Sequence, residues 1–347
     1  LDKSKISSKK LKKKAVKLIR EIGFCVIDNV ISKNFSDYID EIEKAKYSTK
    51  SNTELFKKLL KKKLSEKELL NHPKLEVRMS RFRNRKCKLV NDIFWLPKFS
   101  KYLGDRTITD IIKANLDEHV RIGQIHSKFS KYQNINSKKV IIRNDSFGLP
   151  RVTGGLLNAR EWHTDWPHDP WAYGGRNKSE NIGCIKEPFP DLAMGLVVVH
   201  FLNDSIENLG TWVVPGSHKS GISPRHGKFS TLLPIKKEHQ VKVNAGSVFI
   251  QDTRLWHSSP LLNKSLSKRV IVVSRWYPWW LEIDDYAPDS RFNIVARPLS
   301  KKDFEKLPNN LKPYLLYLCS EKKEYIKNSL IQKTNLYLKR SKKFYRK

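Results

Sequence analysis

Ser247-Val248-Phe249-Ile250-Gln251, then Trp256-His257-Ser258-Ser259, then Arg269-Val270-Ile271-Val272-Val273 form one stretch of β-prone runs broken by polar residues. Runs this short, rich in β-branched and aromatic residues, have the length of strands and not of helices. Asn244-Ala245-Gly246 marks a turn just before them, with Val241–Val243 on its other side. The pattern extends to Tyr277 and recurs upstream at Val140–Arg143, at Met194–Phe201, and at Thr211–Val214, which leads into Pro215-Gly216. Many short strands punctuated by Gly, Pro, Asn and Asp predict a sandwich, jelly roll or barrel.

Helical patterns flank this region. Residues 4–21 read as a basic amphipathic helix with Leu11, Val16, Leu18 and Ile19 as its apolar members, ended by Gly23. Phe24-Cys25-Val26-Ile27 reads as a short buried strand. A second helix is expected from about Lys33, with Phe35, Tyr38, Ile39 and Ile42 on one face, and a Lys- and Leu-rich helical segment over 48–72. From Pro298 the pattern is again helical and basic. The expected division is an N-terminal helical region with one short strand at 1–117, a β core at 118–297 and a basic helical extension at 298–347.

The net charge of +33, from 68 Lys and Arg against 35 Asp and Glu, raises the question of polyanion partners. Much of it lies in runs at Lys9 to Lys14, Lys57 to Lys67 and Lys339 to Lys347, as solvated faces and tails do. Nonspecific polyanion binding is therefore expected, while no basic and aromatic stripe matches a nucleic-acid module. Cys25, Cys87, Cys184 and Cys319 are scattered and form no CxxC pair, which excludes a disulfide framework and a thiolate zinc site and suits a cytoplasmic protein. No apolar run approaches the length of a membrane span, and no secretory signal pattern is present. Leu1 in place of Met leads to the expectation that the true start lies further upstream.

His163-Thr164-Asp165 is an HxD triplet. Residues i and i+2 of an extended segment point to the same side, so one imidazole and one carboxylate can grip one ion. The plainer alternative is a surface His beside an Asp in a loop. His257, 92 residues beyond Asp165 and just after a β run, could be the third ligand. Otherwise it is a core histidine on a backbone group. Two His and one carboxylate on one face of an octahedral ion leave three positions open, the arrangement of non-haem Fe(II) and O2 chemistry. Arg269 follows His257 by twelve residues and heads a hydrophobic strand. A buried Arg needs an anionic partner, and its planar fork suits a carboxylate. That partner is either a dicarboxylate cosubstrate reaching from the metal or a structural Asp or Glu.

These residues resemble those of the phytanoyl-CoA dioxygenase family. The resemblance rests on Glu161-Trp162-His163-Thr164-Asp165-Trp166-Pro167-His168, on Gly210-Thr211-Trp212-Val213-Val214-Pro215-Gly216-Ser217-His218, and on the segment from Gly246 to Arg269. It covers roughly residues 15–300, with the N-terminal helix and Gly23 to Ile27 looking like the start of that family. It implies a double-stranded β-helix (jelly roll, cupin-like) core and an Fe(II)/2-oxoglutarate-dependent dioxygenase. It implies His163, Asp165 and His257 as the catalytic metal ligands. Arg269, helped by Ser259, would take the far carboxylate of 2-oxoglutarate, with O2 as the third reactant. Hydroxylation of a small molecule is the usual outcome, with succinate and CO2 released.

His218 is set aside as a fourth ligand, because Pro215-Gly216 marks a turn. His200 in its β run is expected in the core, and Trp276, Trp279 and Trp280 in the core or in a helix contact. Trp162, Trp166, His168, Trp171 and Tyr173 cluster at the triplet and could line a substrate pocket, since pockets are commonly aromatic with few polar groups. Hydrophobic packing under a loop is the equal alternative. The competing functions are an oxygenase acting on nucleic acid, a non-catalytic β-helix binding protein and a metal-dependent isomerase of the cupin kind. The last would have no use for Arg269.

Overall fold

A computed structural model describes residues 1–42, 89–90, 96–130, 142–144, 150–152, 160, 162–165, 188–205, 210–224, 234–260, 269–281 and 301–319. The expected helical segment at 48–72 and the basic runs Lys57 to Lys67 and Lys339 to Lys347 lie outside them.

The strands are β1 (Phe24–Ile27), β2 (Leu89–Val90), β3 (Val120–Ser130), β4 (Ile142–Asn144), β5 (Pro150–Val152), β6 (Leu196–Phe201), β7 (Thr211–Val213), β8 (His239–Val241), β9 (Val248–Asp252), β10 (His257–Ser258) and β11 (Arg269–Pro278). A six-stranded sheet runs in the order β1-β9-β6-β11-β3-β2, a three-stranded sheet in the order β10-β7-β8, and β4 pairs with β5. Every strand pairing in them is antiparallel. The fold is mainly β with flanking helices, the jelly-roll architecture expected from the sequence.

Alternation along each strand gives the six-stranded sheet two faces. Val197, Val199 and Phe201 of β6, Phe249 of β9 and Ile271 of β11 share one cluster with Val213 and Val241 of the smaller sheet. Leu196 and Val198, Val248 and Ile250, and Val270, Val272 and Trp276 share the other, with the helices. The first cluster is the interior between the sheets and the second is the helix-side core. Each fully buried Val, Ile, Leu or Phe stabilises the fold by roughly 1.5–3 kcal/mol, so the face pattern strongly specifies the register.

β3 keeps to this pattern only through an irregularity. Arg275 of β11 pairs with Gln124 and Trp276 with Ile122, leaving Gly123 as the extra residue of a bulge. The bulge shifts the alternation by one, so that both Ile122 and Ile125 reach the helix-side core.

Helix α1 (Ser8–Ile22) buries Leu11, Ala15 and Ile19, one turn apart, against that core. Gly23 closes it at φ 90°, its N–H donating to the Ile19 carbonyl at 3.0 Å. A Cβ there would also lie 2.7 Å from Leu255 Cδ1, so glycine is required twice over. Residues 35–42 form the expected second helix, α2. Helix α3 (Arg106–Asn115) was not foreseen: Thr107, Ile108, Thr109, Ile111 and Ile112 are β-branched and lower helix propensity. Asp105 starts it by accepting from the N–H groups of Thr107 and Ile108. The C-terminal segment holds α4 (Lys301–Glu305) and α5 (Lys312–Leu315). Tyr314 packs edge-on against Trp276, with ring centroids 4.9 Å apart, and the Tyr317 hydroxyl donates to the Ile122 carbonyl at 2.6 Å.

Trp276 is in the core as expected, but Trp279 and Trp280 are 61% and 49% exposed. β11 ends at Pro278, and the Leu281 N–H turns back onto the Pro278 carbonyl. The two tryptophans thus sit on a turn beyond the last pair of the ladder, past the layer that covers Trp276. His200 is a core residue as expected. It lies on the helix-side face of β6 against Phe99, with ring centroids 5.7 Å apart, and burial pulls its pKa down to about 4.

Candidate metal and cosubstrate site

His163-Thr164-Asp165 runs as an extended segment against β10. His163 and His257 exchange both backbone hydrogen bonds at 3.0 Å, and the Asp165 N–H donates to the Thr253 carbonyl at 2.9 Å. This pairing sets the triplet directly opposite the histidine at the strand end. His163 and Asp165 share a side of the segment, and the intervening Thr164 is completely buried.

The histidine rings lie 4.2 Å apart and Asp165 Oδ2 lies 3.4 Å from His257 Nε2. One ligand atom from each of the three residues falls within 4.8 Å of the others, a spacing that could hold a metal ion. His257 Nδ1 lies 2.9 Å from the Leu255 carbonyl. A proton held there leaves the Nε2 lone pair directed at the cluster, the usual way of fixing a ligand tautomer.

Asp165 has a second partner. Arg275 Nη2 donates to Oδ1 at 2.5 Å, and Gln251 Nε2 lies 3.5 Å from Oδ2. Burial pushes the Asp165 carboxyl up. The Arg275 guanidinium and then the two histidines outweigh it and hold the group well below the usual carboxylate range. The residue is therefore a carboxylate, able to act as a ligand.

Arg269 is 2% exposed. Its Nη2 donates to Thr211 Oγ1 at 3.1 Å, its guanidinium lies 5.5 Å from the centre of the Phe201 ring, and its Nε has no hydrogen-bond partner. No Asp or Glu pairs with it among the described residues. Burial without a counter-charge pulls its pKa down to about 10. A buried cation of this kind fits a carboxylate supplied from outside the chain. Ser259 lies half-buried just past β10. The hydroxyl on the guanidinium is that of Thr211, which the sequence reading did not single out.

Arg275 and Gln251 were also missed. A signal for Arg275 existed, because it lies six residues after Arg269 and so on the same face of a strand. Trp162 is completely buried. Trp166, His168, Trp171 and Tyr173 lie outside the described residues. His218 is held away from the triad, with Nε2 at 3.2 Å from the Arg20 carbonyl. His218→Ala is accordingly expected to keep wild-type metal affinity in a titration while losing about 0.5–1.5 kcal/mol of stability to urea with this part-buried hydrogen bond. Loss of metal there would bring His218 into the ligand set.

Fold and donor set together define a class, the double-stranded β-helix enzymes that use Fe(II), 2-oxoglutarate and O2. Two histidines and a carboxylate suit the metal, and an acid-free buried arginine suits the cosubstrate. The sequence model described as phytanoyl-CoA dioxygenase (PhyH) matches residues 19–270, well over half of the chain, and the chain belongs to this family. No curated protein matches it. Solved structures of similar fold include the α-ketoglutarate-dependent epimerase SnoN from nogalamycin biosynthesis, at 14% identity and TM-score 0.43 over 78% of this chain and 84% of that one. HygX from Streptomyces hygroscopicus, with nickel, 2-oxoglutarate and hygromycin B bound, has 14% identity and TM-score 0.44 over 80% of this chain and 94% of that one. EctD from S. alaskensis has 14% identity and TM-score 0.45 over 83% and 82%. No helix among the described residues is long and apolar enough to cross a membrane.

Proposed function

We propose that this enzyme hydroxylates a small molecule, with His163, Asp165 and His257 holding Fe(II) and Arg269 holding the far carboxylate of 2-oxoglutarate. When bound, Fe(II) with 2-oxoglutarate supplies oxygen activation coupled to decarboxylation to succinate and CO2, with one oxygen atom delivered to the substrate. The carrying observation is Arg269, buried without an acidic partner among the described residues. A chain that merely bound a partner would have no need of so costly a charge. Arg269 orients the cosubstrate by a two-pronged grip on its distal end, with Thr211 beside it and Ser259 as a further candidate. His257 offers Nε2 because Leu255 holds its other nitrogen.

The basic surface supports a small substrate over a nucleic acid. Lys9, Lys10, Lys12, Lys13, Lys14 and Lys17 are exposed on α1, which packs on the helix-side face of the main sheet, across from the cluster between the sheets. Charge serving a nucleic-acid substrate should converge on the site and carry stacking partners. Polyanion binding by α1 is still expected, and it should weaken steeply with salt.

The test is succinate release from 2-oxoglutarate after anaerobic loading with Fe(II), then admission of air, at about 0.2 M salt where nonspecific polyanion binding is weak. Metabolite fractions are compared with single-stranded DNA and RNA, and products are weighed. The expected result is a metabolite that gains one oxygen per succinate. Succinate coupled to an oxidised base overturns the small-molecule reading. Coupled turnover without oxygen gain replaces hydroxylation by another outcome, such as the epimerisation for which SnoN is named.

A further inference from the structure

Asp165 uses its two oxygens differently. Oδ2 faces His257 Nε2 at 3.4 Å, on the side where the three candidate ligands converge. Oδ1 is taken by the guanidinium of Arg275 at 2.5 Å. Both side chains are about nine-tenths buried. Arg275 is not an incidental neighbour, because it lies 110 residues further along the chain and is delivered by the longest pairing in the sheet.

We infer that Arg275 is a positioning residue that restricts Asp165 to one metal-binding oxygen, and so keeps three positions of the ion open. A carboxylate can bind a metal through one oxygen or through both. A planar guanidinium on one oxygen makes that oxygen a poor ligand and sets the plane of the group. Two-oxygen binding would fill a fourth position. A chelating 2-oxoacid and O2 together require three. β11 then carries two guanidiniums on one face, Arg269 at its head and Arg275 roughly 20 Å along it. The first serves the cosubstrate and the second the metal ligand. Outer-shell partners of this kind typically change metal affinity by about 10–100-fold when removed.

This inference rests on the reading that the triad holds a metal, so the full chain is titrated with Co(II), an optically visible stand-in for Fe(II), before and after adding 2-oxoglutarate. Wild type is expected to bind Co(II) and to change its visible spectrum when the 2-oxoacid displaces solvent. Arg275→Met is expected to bind Co(II) about 10–100-fold more weakly, with an altered spectrum and a blunted response to 2-oxoglutarate. Arg275→Lys restores the charge but not the planar fork, and falls between the two. It also serves as the test if Arg275→Met does not fold. A folded variant with wild-type Co(II) affinity and spectrum overturns the inference, and a purely structural role would give that result with only a lower urea midpoint. Failure of the wild type to bind Co(II) or Fe(II) overturns the metal reading itself, and the inference with it.

Discussion

Asp165→Ala should lose iron-dependent turnover completely and unfold more readily than the parent chain. The first effect follows from removing one of three candidate ligands, since two histidines alone cannot hold the ion in the same open geometry. The second is not evident from the sequence, which offers Asp165 only as a candidate ligand. Arg275 changes that reading. Arg275 is 9% exposed and its guanidinium donates to Asp165 Oδ1, so truncating the carboxylate breaks a buried charge pair. Removing one member of such a pair typically costs about 3–5 kcal/mol. Asp165→Asn keeps the shape and a hydrogen-bond acceptor, so it should lose turnover but less stability. Activity measured with added Fe(II), and urea unfolding of the metal-free proteins, separate the two effects. Full turnover in Asp165→Ala removes this residue from the site, and unchanged unfolding shows that Arg275 finds another partner.

Arg269→Met should behave in the opposite way: weaker cosubstrate binding in a protein no less stable. A buried charge pair broken at one end costs about 3–5 kcal/mol, so the 2-oxoglutarate dissociation constant should rise by roughly two to three powers of ten. Without cosubstrate the same guanidinium is a buried cation that donates to Thr211 and meets no acidic partner among the described residues. Replacing such a group by an apolar one of similar length is commonly neutral or stabilising. Wild type should therefore gain thermal stability on adding 2-oxoglutarate, because a ligand that binds only the folded state stabilises it. Arg269→Met should start at or above the wild-type midpoint and gain nothing. Equal affinity for 2-oxoglutarate in the two proteins removes Arg269 from the role.

Much of the fold and site was legible because its signals are local. Strand alternation and turn residues mark β6, β9 and β11 within a few residues of their ends. The His163-Thr164-Asp165 triplet needs only the i, i+2 rule. Arg269 stands out as a charge heading an apolar strand. Helix α3 escaped because tertiary burial of Ile108, Ile111 and Ile112 overrode the β preference of its own residues. Trp279 and Trp280 were misplaced because hydrophobicity says what prefers burial, not where a covering layer ends.

By itself the sequence determined the mainly β class, and it offered two histidines and a carboxylate as candidate ligands and Arg269 as the candidate for an anionic cosubstrate. Each depends on residue type and short spacing, which the chain carries without reference to distant parts. Only the tertiary structure decided which distant elements meet. β1 comes from the helical N-terminal region, yet completes one edge of the main sheet through Phe24 to Ile27 on β9. Gly123 absorbs one residue so that Ile122 and Ile125 share a face. Arg275 reaches Asp165 and Arg269 reaches Thr211. Alternation fixes the face of a strand on which a side chain stands. It does not fix what stands opposite, which is set by the register of strands far apart in sequence.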